Sequence, residues 1–478
     1  MTDWVENVAA PAAESPVDPK FKPGRLSRSA VGWALHQGGR DPYVILITIY
    51  VFAPYFATTV VGDPVQGQAM VALANSIAGW IVAFTAPLLG AAVDKLGPRK
   101  PGLALFTGLM VPPIAALWFA TPDGQGLSPA AVVAIIALIG VLFPYSEIHH
   151  NAMLPFAARR DEAPVASGLA LSAGNGASVL ALLFVLWAFA LPGRVDWRFV
   201  PAAPLFGLDP ARHESDRIVA PIAAALMALS LVPILLFARD APRNATRVGE
   251  AVRGSAGQLW RTLKLIPHHR DTGVFLVSRM LYADGKLALL VFGGVFAAGL
   301  MGWGVLEMLA YGVLLSAFAV FGGFFGGWLD RLIGPKRAVQ VELVGAIVFM
   351  LGTLGGGRSR ILFNEVDVAA LPKVWNGPLF TTWPEITYLL CGFGVAVFVT
   401  ACYASSRTLL VRLSPPELTG SFFGLYALSG AATAWLGPTL VGIFTAAFDS
   451  QQAGFVPIAG LLLAGLVGTL FVRGGGRE

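Results

Sequence analysis

Gly90-Ala-Ala-Val-Asp94-Lys95-Leu-Gly97-Pro98-Arg99-Lys100 returns later in the chain as Gly326-Gly-Trp-Leu-Asp330-Arg331-Leu-Ile-Gly334-Pro335-Lys336-Arg337. Both copies read Gly-x3-Asp-(Lys/Arg)-Leu, then Gly-Pro and two basic residues, with one extra residue in the second. The glycines allow a tight turn, the aspartates cap or pair at helix ends, and the basic residues anchor at an anionic leaflet. Each copy follows the second long apolar run of its half of the chain, and the two aspartates lie 236 positions apart. A weaker echo relates Ser167-Gly-Leu-Ala-Leu-Ser-Ala-Gly174 to Phe423-Gly-Leu-Tyr-Ala-Leu-Ser-Gly430. A repeat of this period predicts two equivalent six-span halves, an architecture used by transporters.

Composition sets the solvent. Of 478 residues, 56% are hydrophobic and 13% charged, where soluble domains carry about 25% charged residues. Apolar runs of about 20 residues predict an all-α polytopic membrane protein, since only helices and closed barrels satisfy their backbones in lipid. Twelve spans are expected, near 42–61, 69–92, 102–120, 130–149, 165–191, 218–238, 274–300, 303–328, 339–356, 386–410, 420–448 and 454–472. The division follows: a polar tail at 1–41, a first half at 42–238, a cationic linker at 239–270, a second half at 271–472 and a short tail at 473–478. No cleaved signal peptide is read at the start.

The net charge of +5 is not a nucleic-acid footprint. Of the 33 Lys and Arg, 24 fall in the tails and loops of one side, and the positive-inside rule makes both termini cytoplasmic. A bacterial cytoplasmic membrane is the expected setting. Cys391 and Cys402 share one span, about 16 Å apart at 1.5 Å per residue, too far to bridge. Adjacent histidines at His149-His150 and His268-His269 diverge by about 100° on a helix and lack ligand-spaced partners, so no metal site is read. Gly322-Gly-x2-Gly326-Gly327 reads as a helix contact, and Asn244-Ala-Thr as a glycosylation pattern on the wrong side to be used.

The chemistry concentrates in Arg279-Met-Leu-Tyr282-Ala-Asp284-Gly285-Lys286, inside the seventh span. A charge near the bilayer centre costs at least about 2.5–3.5 kcal/mol and marks a functional candidate. Arg279 and Lys286 share a helix face with Tyr282 between them, whereas Asp284 lies roughly 140° from Arg279. Either another helix partners Asp284 or the helix is irregular at Gly285. Two roles stand for the three charges, internal pairing or the handling of solute and proton. Glu307 and Glu342 read as interfacial carboxylates.

The repeated loop resembles that of the major facilitator superfamily. Trp33-Ala-Leu, Tyr50-Val-Phe-Ala-Pro54-Tyr55-Phe56, Asn151-Ala-Met-Leu-Pro155, Arg279-x2-Tyr282-x-Asp284-Gly285, Ser406-Arg407 and Leu436-Gly-Pro438 look like its vacuole-effluxer branch, named for a fungal amino-acid permease linked to autophagy. That branch usually follows Trp-Ala-Leu with Tyr-Asp-Trp-Ala-Asn-Ser; here His36-Gln37-Gly38-Gly39-Arg40-Asp41-Pro42 stands instead, and the solute differs if that motif is what contacts it. The resemblance implies the major facilitator fold, with spans 1, 4, 7 and 10 lining a central cavity. It nominates Tyr50, Tyr55, Tyr145, Arg279, Tyr282, Lys286 and Tyr403 for solute binding, and Asp284 and Glu147 for proton coupling. Asp94, Arg99, Asp330, Arg331 and Arg407 are the gating candidates. A secondary transporter of a small zwitterionic or anionic, amino-acid-like solute is expected, monomeric, contacting lipids, without cofactor or nucleic acid. No nucleophile–base pair marks it as an enzyme. A carrier of neutral sugar, peptide or amphiphile, or a non-transporting receptor, stands as the alternative.

Overall fold

The computed structural model describes residues 26–159, 162–242, 266, 269–361, 363, 365–368, 371–414 and 419–474. Among the described residues, eleven helical stretches are long and apolar enough to cross a membrane, and two shorter helices follow one another as a twelfth crossing.

Helix starts are written locally. Asp63 accepts from the amides of Val65 and Gln66 at the head of α2 (Pro64–Leu96), and Ser128 does so from Ala131 for α4 (Pro129–Ala157). In both, proline fills the first helical position, where no donor is required. Between them lies α3 (Lys100–Ala116), and α5 (Ala163–Val185) and α6 (Val219–Phe237) complete the first half. The second half comprises α7 (Arg270–Met301), α8 (Val305–Ile333), α9 (Pro335–Leu354), α10 (Trp383–Leu413), α11a (Thr419–Ala432), α11b (Leu436–Phe448) and α12 (Gln451–Leu470). Gly97 and Gly334 take φ of +91° and +81°, so both copies of the repeated loop turn on a left-handed glycine.

Two expectations are corrected. The first crossing runs from Arg28 to Val60, not from residue 42, so residues 28–41 belong to the membrane half rather than to a tail. Its opening helix α1 (Arg28–Arg40) is capped by Ser27, and Trp33, His36 and Arg40 are buried. Beyond Pro42 the crossing continues through π-helical turns at Val44–Tyr50 and Phe56–Val60 around a short helix, Phe52–Tyr55. The eleventh crossing is broken at residues 433–435, where a single helix over 420–448 is expected. Pro438 in the first turn of α11b has no donor to extend a preceding helix.

Within the first half α1 packs on α5 and α6, α2 on α4, and α3 on α4 and α6; in the second, α10 packs on α8 and α9, and α7 on α12. The Gly322 cluster serves the expected contact, since a Cβ there would lie 2.4 Å from the Val397 carbonyl oxygen of α10. The halves meet where α2 lies on α11b, α5 on α8, and the first crossing on α7. The linker lies almost wholly outside the described residues, as do His268 and Asn244.

Candidate functional site

The seventh crossing is a regular helix through Gly285, so Asp284 is partnered by another element. Its Oδ2 accepts from the Gly437 amide at 2.6 Å, at the start of α11b. The break in the eleventh crossing thus presents free N–H groups and the positive end of a helix dipole to a buried carboxylate. Asp284 Oδ1 has no hydrogen-bond partner among the described residues. Arg279 is held by the other half-helix: Nη1 donates to Tyr426 O (2.5 Å) and Ser429 Oγ (2.6 Å), and the guanidinium stacks 3.4 Å from the Tyr426 ring.

Lys286 points elsewhere. Its Nζ lies 3.8 Å from the Tyr403 ring centre and 5.0 Å from that of Tyr282, whose hydroxyl bonds Ser406 at 2.9 Å. Glu342 of α9 is fully buried and accepts from Ser405 Oγ at 2.8 Å, which corrects its reading as interfacial. Arg279, Asp284 and Lys286 are 8%, 1% and 1% exposed. In this conformation they are therefore engaged inside their own half, and Arg279 and Lys286 do not present free cations to the space between halves.

A second polar cluster was hidden in the stretch read as a tail. Arg40 Nε and Nη2 each lie 3.3 Å from Asp41 Oδ1, Nη2 lies 3.8 Å from Glu147 Oε1, and the guanidinium covers Phe143. Glu147, nominated for proton coupling, is thus tied to the first crossing. His36 bonds the Ser230 carbonyl through Nδ1, and Trp33 stacks on His150 at 4.5 Å. The signal was the Arg-Asp-Pro run before the apolar stretch, where a charged pair can be carried into the membrane by a partner on a neighbouring helix.

The gating candidates separate. Arg99 covers Phe156 and donates to the Gly97 carbonyl, while its amide and that of Lys100 cap onto Asp240. Arg331 Nε bonds the Gly327 carbonyl of its own helix, and one Asp330 oxygen is buried without a partner among the described residues. Arg407 is exposed; the Asp94 side chain lies outside the described set. Tyr145 bonds Thr85, joining α4 to α2.

Among the described residues, the halves line a central cavity and a second one beyond it. The central one, about 660 Å³, is walled by Ile49, Leu289, Phe296, Tyr311, Tyr388 and Val399. The other, about 480 Å³, opens at the end remote from the termini and is lined by Tyr55, Arg194, His213, Asp216, Glu307 and Arg358. Tyr50 borders both. Its ring fills the notch at Gly312, where a Cβ would lie 2.8 Å away, and meets Tyr311 edge-on at 6.1 Å. Tyr55 is pinned by a hydroxyl bond to Ala120 O. His213 bonds Asp216 at 3.2 Å, and that bond, opposed by partial burial, raises the imidazole above its usual range.

The remote end is shut between the halves. A Cβ on Gly294 would sit 1.7 Å from Ile49 O. Gln68 Nε2 donates to Thr445 Oγ1 (2.8 Å) and Gln451 O (3.1 Å), and Gln451 Nε2 returns a bond to Pro64 O.

Comparison with known proteins places this architecture. Residues 56–474 match the family described as vacuole effluxer Atg22 like. Autophagy-related protein 22-2 of Aspergillus niger is 28% identical over 207 residues, 43% of this chain and 32% of that protein. The same-named protein of Emericella nidulans is 29% identical over 226 residues, covering 46% and 36%. The chain thus spans about a third of the length of these relatives. Among solved structures, the nucleoside transporter NupG superposes with a TM-score of 0.63 at 12% identity, covering 94% of this chain and 99% of that one. A D-xylose-proton symporter gives 0.58 at 13%, covering 94% and 97%. These likenesses show the fold, and with the match over most of its length the chain belongs to the vacuole effluxer Atg22-like family, on the major facilitator fold.

Proposed function

We propose that the chain is a secondary active transporter that carries a small zwitterionic or anionic, amino-acid-like solute by alternating access, driven by a proton gradient. One observation supports it above others: two six-helix halves enclose a central cavity whose remote end is shut by contacts made only between the halves, Ile49 with Gly294 and Gln68 with Thr445 and Gln451. Such contacts must part for the site to open on the other side. Asp284 is the coupling carboxylate of this reading, because its one hydrogen bond among the described residues is to a helix terminus, a bond that a proton on the carboxylate would weaken. Arg279 and Lys286 take a solute carboxylate only after leaving their present partners. The lysine–arginine asymmetry of the loops sets both termini in the cytoplasm, here of a bacterial cytoplasmic membrane.

The apolar and aromatic walls of the central cavity favour a second reading, a neutral sugar, peptide or amphiphile stacked on Tyr50, Tyr311 and Tyr388. Counterflow in proteoliposomes under an imposed proton gradient decides. Gradient-dependent uptake of a radiolabelled neutral amino acid, absent with D-xylose or a nucleoside, supports the first reading. Uptake of the neutral solutes alone replaces it with the second, and no flux of any solute leaves a receptor on a transporter fold.

A further inference from the structure

We propose that the cavity at the remote end is a capture site for a zwitterionic solute, separate from the central cavity and divided from it by the Tyr50 ring. The inference deepens the transport reading and rests on it for direction of use, not for binding. Its polar lining is balanced in a particular way. Arg194 and Asp216, the latter bonded to His213, come from the first half, Glu307 and Arg358 from the second, so each half contributes at least one cation and one carboxylate.

These groups are only lightly engaged. The Arg194 side chain makes no hydrogen bond or ion pair among the described residues and is exposed. Arg358 makes one long bond, 3.4 Å from Nη2 to Gly299 O. Glu307 gives one oxygen to the Gly304 amide at 3.0 Å and Asp216 one to His213. A singly charged solute entering here meets charges of both signs on each half. A zwitterion can place its ammonium on one half and its carboxylate on the other, which is the complementarity that selects a solute. Tyr50, Pro54 and Trp303 supply an apolar floor for its body. Because the bridge would join the two halves, the solute must let go of one before the remote end opens, so binding here is expected to be weak and to precede passage.

The test is titration calorimetry on the full-length protein in detergent with leucine, then with acetate and ethylammonium as single-charge probes. Wild type is expected to bind more than one equivalent of leucine. Glu307→Gln, which keeps an oxygen for Gly304, and Arg358→Gln should each remove the weaker event or weaken it at least tenfold, with unchanged melting temperature. Neither single-charge probe should compete. An unchanged isotherm in both variants, equal competition by acetate or ethylammonium, or no leucine binding at all overturns the site. Proton-driven leucine flux with an unchanged isotherm in the variants sinks only this inference. Variant-sensitive binding without flux keeps the site and sinks the transport reading.

Discussion

Asp284 is a buried carboxylate with no basic side chain among its described hydrogen-bond and ion-pair partners; its one bond is to the first turn of a half-helix. Asparagine keeps an oxygen for the Gly437 amide, whereas alanine leaves that buried donor unpaired at a cost of about 1–3 kcal/mol. Asp284→Ala should therefore melt well below wild type in detergent and Asp284→Asn close to it. Equal destabilisation by both would mean that the charge, not the capping bond, holds the site. Under the transport reading Asp284→Asn also exchanges solute downhill but no longer accumulates it. Helix geometry made half of this legible: the spacing of Arg279, Asp284 and Lys286 shows that the aspartate faces away from the two cations. Its partner was not legible, because Gly437 is 153 residues distant and the Leu436-Gly-Pro438 motif says nothing of which side chain its amide meets. The same limit hid the occupation of Arg279 by Tyr426 and Ser429.

Elements with strong local signals, the twin Asp-to-Gly-Pro loops and the proline-headed spans, stand where the sequence puts them. The first crossing does not, because its opening helix is polar by composition. Arg40 and His36 enter the membrane region on contacts with Asp41, Glu147, Phe143 and Ser230 that come mostly from α4 and α6, and a hydropathy reading sees only the cost. Farther along this crossing, π-helical turns bring the Ile49 carbonyl against Gly294 of α7. No side chain fits there while the halves touch, and backbone cannot retreat as a flexible side chain would. Gly294→Ala should disfavour the conformation shut at the remote end without unfolding either half. Spin labels at the remote ends of the first crossing, near Val60, and of α7 would report it as a population shift toward longer distances. An unaltered distance distribution would show that the contact yields locally and does not set the balance.

On the scale of the molecule, the halves share an apolar core and an α2–α11b seam in which Trp80 stacks on Trp435, and the groups that shut the remote end differ from that seam in kind. Each half is knitted by long apolar seams such as α8 with α10 and α7 with α12, while the remote closure adds two glutamines, a threonine and bare backbone. Such a polar latch suits reversible parting, since its groups find water when it opens, whereas an apolar seam would resist. It follows that a covalent tie at the latch should stop the cycle without disturbing either half. Replacing Gln68 and Thr445 by cysteine, in a chain where Cys391 and Cys402 are replaced by serine, permits a short thiol-cleavable cross-link between α2 and α11b. Cross-linked protein should keep its melting temperature, lose solute flux in proteoliposomes, and regain it when reductant opens the tie. Flux that persists in fully cross-linked protein would mean that the remote ends of α2 and α11b stay together throughout, and the parting would then have to occur at Ile49 and Gly294 alone.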